Sequence, residues 1–209
     1  MNKKYELTDE TQEWNGRILH RIRVLSDFND VKAGDLGGWI EKKENLSHDD
    51  DAWVYGNAQV FGNAQVFGNA WVFGNARVFG NARVFGNARV FGDARVFGDA
   101  RVFGDARVFG DARVYGDARV YGNARVFSDA EIFKTSDYFT SGPIGSMCDT
   151  ITFFRCKDGK IRATTGCFYG DLDQLEAAVR STHKNNNYAQ AYMGIMAAAK
   201  AQIGADQNV

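Results

Sequence analysis

Three residue types are scarce in this chain, and the scarcity narrows what it does. Cysteine occurs three times in 209 residues, at Cys148, Cys156 and Cys167. The number is odd and the spacing is not that of metal ligands, so no metal site is expected and the chain reads as reduced and cytoplasmic. Histidine also occurs three times, at His20, His48 and His183. Proline occurs once, as Pro143, against 23 glycines. Neither sign of charge dominates: the formal net charge is -1, which argues against a general binder of nucleic acid or acidic membrane. No apolar run is long enough to cross a bilayer. The opening Met-Asn-Lys-Lys-Tyr-Glu lacks the apolar segment of a signal peptide.

What is present in abundance is one six-residue phrase. Val or Ile recurs at every sixth position from Val54 to Ile132, which makes 14 hexads of the type Val-Phe-Gly-Asn-Ala-Arg, with Asp later replacing Asn. One hexad buries nothing alone, so a fixed short period means stacked units of a solenoid. In Ala76-Arg77-Val78-Phe79-Gly80-Asn81, strand alternation sends Ala76 and Val78 inward and Arg77 and Phe79 outward. Gly80-Asn81 supplies the corner, because both residues tolerate positive φ. The phrase resembles the hexapeptide repeat of the left-handed β-helix acyltransferases, with Val78 and Ala82 at the aliphatic and small positions and Asn81 before the small one. That resemblance, not the period, implies a three-sided, left-handed parallel coil of three hexads. On a rise of roughly 4.8 Å per coil, 14 hexads give a prism about 23 Å long.

Three-sided stacking brings outward residues 18 apart into ladders. The expected faces carry Phe73, Phe91, Phe109 and Phe127 beside Arg77, Arg95 and Arg113. The second set is Phe61, Phe79, Phe97 and Tyr115 beside Arg83, Arg101 and Arg119. The third is Phe67, Phe85, Phe103 and Tyr121 beside Arg89, Arg107 and Arg125. Such rows stabilise the solenoid itself, each contact by roughly 0.5 to 1 kcal/mol. Aromatic faces this extensive also predict side-by-side packing into a homo-oligomer. Nucleic-acid binding is disfavoured, because nine Arg and Lys134 between 51 and 140 face eight Asp and Glu131.

Residues 1–50 are not repetitive and read as a small β cap, with strands at Tyr5-Glu6-Leu7 and Arg17 to Leu25 and a turn at Asn15-Gly16. The run from Leu25 to Ala58, containing "LGGWIEKKENLSHDDDAWVYGNA", resembles the start of the YdcK-like transferases and of related phage-borne hexapeptide proteins. Ile40 and Leu46 are six apart and would begin the first coil, with an insertion before Val54. Trp39 and Phe28 would plug the open end, since a bare coil end recruits other chains. The acyltransferase resemblance implies a histidine base and acetyl-CoA as cofactor. No hexad carries His, which leaves His48 and His20 as weak candidates for a base, His48 beside Asp49 to Asp51 and His20 in a strand pattern with Ile18 and Ile22. The coils also lack the loop that commonly closes over substrate in that family.

Residues 51–140 are the β-helix, and residues 141–209 read as a ββαα module. Phe133 to Gly145 reads as a linker or closing coil. Thr150 to Cys156 and Ile161 to Phe168 flank Asp158-Gly159, which pairs Cys156 with Ile161. Asp171 is placed to cap a helix from Leu172 to His183, and a second helix runs from Tyr188 to Gln202 with Tyr192, Ile195, Met196 and Ala199 on one face. The leading expectation is a non-enzymatic solenoid that self-associates through its aromatic and Arg ladders and captures a host protein or ligand, without a cofactor. The phage resemblance implies an accessory or anti-defence role. The alternatives are a CoA-dependent acyltransferase and an oligomeric sponge for an anionic nucleotide, both using the Arg rows for phosphates.

Overall fold

A computed structural model describes residues 3–204. Strands β1 (Tyr5–Trp14) and β2 (Arg17–Val24) form a hairpin, and β3 (Leu36–Ile40) pairs antiparallel with β2. Fourteen two-residue strands follow, β4 to β17, from Trp53–Val54 to Glu131–Ile132. Their pairing is parallel with an offset of 18 residues, as in Arg95↔Arg77 and Val96↔Val78. Three sheets result, in the orders β3-β5-β8-β11-β14-β17, β4-β7-β10-β13-β16 and β6-β9-β12-β15. They are the three faces of a solenoid of about five coils.

Valine and alanine are the buried pair. Every repeat Val and Ala is at most 1% exposed, from Ala52 to Val126, and Ala130 and Ile132 close the series. Filling one such Val site contributes roughly 1.5 to 3 kcal/mol. The backbone is satisfied from coil to coil: Arg77 donates to the Ala94 carbonyl at 2.9 Å, Phe79 to Val96 at 3.0 Å and Asn81 to Gly98 at 2.8 Å. These bonds leave no room at the corner, where glycines stack directly upon one another. The corner persists at Ser128, which holds φ 60 where earlier hexads have Gly.

The first coil begins at Ile40. Ile40 pairs with Val60 and Leu46 bridges Val66. Each pair is 20 residues apart, so the first coil holds two residues more than the others, between Leu46 and Val54. Lys4 clamps this insertion, donating from Nζ to the carbonyls of Asp49, Asp50 and Ala52 at 3.5, 3.1 and 2.8 Å. Tyr5, Ile22, Val24, Val31 and Ile40 plug the end, with Phe28 packed against them. Trp39 does not plug it. It pairs with Gln59, which is an outward position, and packs with Leu19 and Phe61 on the outside. Alternation along β3 forces this, because Ile40 takes the inward place.

The segment beyond Ile132 is more structured than a linker. Strands β18 (Tyr138–Ile144), β19 (Asp149–Arg155), β20 (Ile161–Thr165) and β21 (Phe168–Asp171) make an antiparallel meander, so the module has four strands and not two. Arg155, not Cys156, pairs with Ile161. Cys156 is drawn onto the solenoid instead, bridging Ala130, while Lys157 donates to the Asp129 carbonyl at 3.0 Å. Alternation divides β19. Phe154 joins the solenoid core with Tyr138 and Cys156, whereas Ile151 and Phe153 face the helices. Helix α1 (Leu172–His183) starts at the Asp171 cap, with Gln174 reciprocating, and α2 (Asn187–Gly204) buries Ala189, Tyr192, Met196, Ala199 and Ile203.

Candidate functional site

The outside of the solenoid is three aromatic ladders. Phe67, Phe85 and Phe103 stack at 4.8 and 4.9 Å with rings within 2° of parallel, and Tyr121 continues at 5.2 Å. Phe73, Phe91, Phe109 and Phe127 do the same at 4.6 to 4.7 Å. Phe61, Phe79, Phe97 and Tyr115 form the third at 4.9 to 5.1 Å. Stacking covers the ring faces, so Phe67 to Phe109 are half-buried and mainly their edges meet solvent. The ladders thus stabilise the coil and leave narrower apolar strips than full faces would.

The Arg rows are shifted by one face from the expected grouping. Arg77 opens the two-residue strand Arg77–Val78 and Phe79 directly follows it, so alternation about inward Val78 puts Arg77 and Phe79 on the same face. Arg77, Arg95 and Arg113 therefore accompany Phe79, Phe97 and Tyr115. Arg83, Arg101 and Arg119 accompany Phe85, Phe103 and Tyr121, and Arg89, Arg107 and Arg125 accompany Phe91, Phe109 and Phe127. The expected grouping instead paired residues across a corner.

Corner side chains form ladders of their own. Asn63 donates to Asn81 at 3.2 Å and Asn81 to Asp99 at 2.9 Å, with parallel chains from Asn57 through Asn75 to Asp93 and from Asn69 through Asn87 to Asp105. The switch from Asn to Asp lags the arrival of arginine by one coil. Residues 57–74 carry no charge, 75–92 carry Arg77, Arg83 and Arg89 with no acid, and 93–110 carry three Arg against Asp93, Asp99 and Asp105. One coil is thus a band of three positive charges.

Where that band meets the N-terminal hairpin lies a groove of about 510 Å³. Its floor includes Phe61, Phe79, Arg77 and Arg95, and its wall is the β1–β2 turn with Trp14 and Arg17. The Arg77 guanidinium sits 3.9 Å over the Trp14 ring. Burial, and then the neighbouring Arg95, lowers the Arg77 pKa, with Asp93 opposing. Glu41 is the one carboxylate in the lining, and it is already engaged by Arg17 at 2.8 and 3.0 Å and by the Gly62 N–H at 2.6 Å. Trp14, Arg17, Glu41 and Lys42 carry no sequence mark of this site. Trp14 and Arg17 reach it by long-range docking of the hairpin, and Glu41 and Lys42 by the start of the first coil after β3.

The histidines lie elsewhere. His48 stacks on Tyr5 with centroids 4.2 Å apart, and its Nδ1 is buried without a partner among the described residues. Burial first, then Lys4 and Lys43, lower its pKa. His20 donates from Nδ1 to the Thr8 carbonyl at 3.2 Å, which requires the proton on Nδ1. His183 stacks on Tyr192. None of the three lines the groove. Among the described residues no helix is long and apolar enough to cross a membrane.

Comparison with known proteins places the repeats. The YdcK β-solenoid repeat model matches residues 76–90, 82–96, 100–116, 106–121 and 118–130. The chain is 34% identical over 61 residues to the "uncharacterized acetyltransferase YdcK" of Escherichia coli (strain K12), which covers 25% of this chain and 19% of that protein. The chain carries YdcK-type solenoid repeats. It matches that relative over 19% of the relative's length, and the activity in that name is said of the relative.

Proposed function

We propose that this chain is a non-enzymatic interaction protein that self-associates through the face bearing Phe67, Phe85, Phe103 and Tyr121. The observation that carries this is the difference between the three ladders at their ends. Phe61 is 7% exposed beneath Leu19 and Trp39, and Phe127 is packed on Phe154 and Tyr169. The Phe67 ladder ends on Tyr121, which meets Tyr138 edge-on at 6.3 Å and is still 45% exposed. Its flanks carry Arg101 and Arg119 beside Asp99 and Asp117, so a second copy whose two-fold axis runs along the solenoid, between these rows, sets Arg against Asp. A host protein or another ligand, as expected of a phage accessory or anti-defence protein, would then dock on the remaining faces.

Light scattering with the full chain tests this. Wild type is expected to be oligomeric, Phe85→Ser with Phe103→Ser to be monomeric, and Phe91→Ser with Phe109→Ser to remain oligomeric. A monomeric wild type would sink the proposal. A second reading, acyl transfer from acetyl-CoA, is favoured by the name of the Escherichia coli relative. It needs His48 as base, and His48 is stacked in the cap. Micromolar acetyl-CoA binding lost in His48→Ala would favour that reading.

A further inference from the structure

We infer that the groove between the N-terminal hairpin and the solenoid binds a small, doubly charged phosphate group, carried by a diphosphate or by an organic phosphate ester. Three cations face it without an ion pair among the described residues: Lys42, Arg77 and Arg95. The Lys42 Nζ donates to the Asn63 side chain, at 3.2 Å. In the row that contains Arg77 and Arg95, Gln59 is neutral at one end and Arg113 is paired with Glu131 at the other. The two central guanidiniums are left over, one coil apart, at the spacing of roughly 4.8 Å between stacked strands. Repulsion between them is relieved by an anion placed across both, and an Arg fork offers bidentate donors to phosphate oxygens.

Four features favour a ligand over a solvated cationic patch. The corners lining the groove are Asn63 and Asn81, whose amides are neutral, whereas the next coil has Asp. No carboxylate of the lining competes, because Glu41 holds Arg17 and the Gly62 N–H. Trp14 also holds Arg77 by stacking on its guanidinium, which lowers the entropy cost of binding. The volume of about 510 Å³ lies in the range of small-molecule sites. It exceeds what a bare phosphate needs and leaves room for an organic part against Phe61 and Phe79.

Isothermal titration of the full chain with pyrophosphate, at low salt, tests this independently of self-association. One site per chain is expected. Arg77→Gln and Arg95→Gln should each weaken it about tenfold or more, and Trp14→Ala should weaken it with the melting temperature monitored alongside. Arg107→Gln, on another face and beside Asp105, should leave it unchanged. No binding at millimolar pyrophosphate would overturn the inference, as would an equal loss in Arg107→Gln. Equal affinity for malonate would overturn the assignment to phosphate.

Discussion

Two glycines of identical conformation separate backbone strain from close packing. Gly98 has φ 70 and Gly122 has φ 66, so an L side chain is strained equally at both. That strain costs about 1 to 2 kcal/mol. Their surroundings differ. A Cβ at Gly98 would stand 3.0 Å from both the N and the O of Gly116, whereas a Cβ at Gly122 meets nothing within 4 Å. Gly116 cannot retreat without opening the 2.8 Å bond from the Asp99 N–H to its carbonyl. Loss of that bond adds roughly 1 to 3 kcal/mol. Gly122→Ala should therefore cost about 1 to 2 kcal/mol, and Gly98→Ala about 2 to 5 kcal/mol. Guanidinium chloride midpoints by circular dichroism measure the difference, provided the slope is unchanged. The four tryptophans all lie between 14 and 71, so fluorescence reports the N-terminal part and coincident curves test for a single transition. Equal destabilisation by the two substitutions would refute the stacked-corner reasoning.

Lys4→Met should cost about 2 to 3 kcal/mol, since it leaves carbonyls of the insertion without a donor, and hydrogen exchange should rise first at residues 47–52; an unchanged exchange pattern would contradict the clamp. Iodoacetamide at pH 8 should label exposed Cys148 and Cys167 while sparing Cys156, whose thiol burial pushes its pKa up to about 12. The same shift makes stability pH-dependent. The folded pKa lies above the unfolded value of 9.0, so the contribution is complete below pH 9 and is lost as pH rises towards 12. Denaturation midpoints should fall over that window, and by less in Cys156→Ala; an identical fall in both would exclude this cause. Asp171→Ala removes the acceptor for the Gln174 N–H, 2.9 Å away, and should cost about 0.5 to 2 kcal/mol, read by exchange in the first turn of α1.

The hexad was legible because it is local. Val78, Ala76 and Gly80 each state their own place, and the same statement repeated 14 times leaves no competing register. The helices were legible for similar reasons, from the cap at Asp171 and the stripe through Tyr192 and Met196. What could not be read depended on distant partners. Arg155 pairs with Ile161 in place of Cys156 because Cys156 is held by Ala130, on the solenoid. Trp39 is outside because Ile40 must pair with Val60, and no spacing within Gly37-Gly38-Trp39-Ile40 says which of the two is inward. The groove was invisible for the same reason. Its floor is three ordinary hexads, and its wall is a hairpin turn more than forty residues earlier in the chain.

A solenoid with an almost uniform exterior gains specificity where uniformity breaks. The break here is an offset: arginine enters the repeat at Arg77, but after Asp51 the corners stay Asn until Asp93. Had both begun together, the coil at 75–92 would be neutral, and the hairpin would dock on an uncharged surface. The offset creates one positive coil and sets it against the hairpin, while the coils beyond, with Arg and Asp in register, suit a self-complementary contact. The two proposed surfaces therefore rest on different forces. At 1 M salt the screening length shrinks to about 3 Å, so phosphate binding should collapse. Association through the Phe67 to Tyr121 ladder buries ring edges and should persist or strengthen. If both were lost together across a salt titration, the aromatic strip would not be what holds the copies, and the Arg rows would have to be.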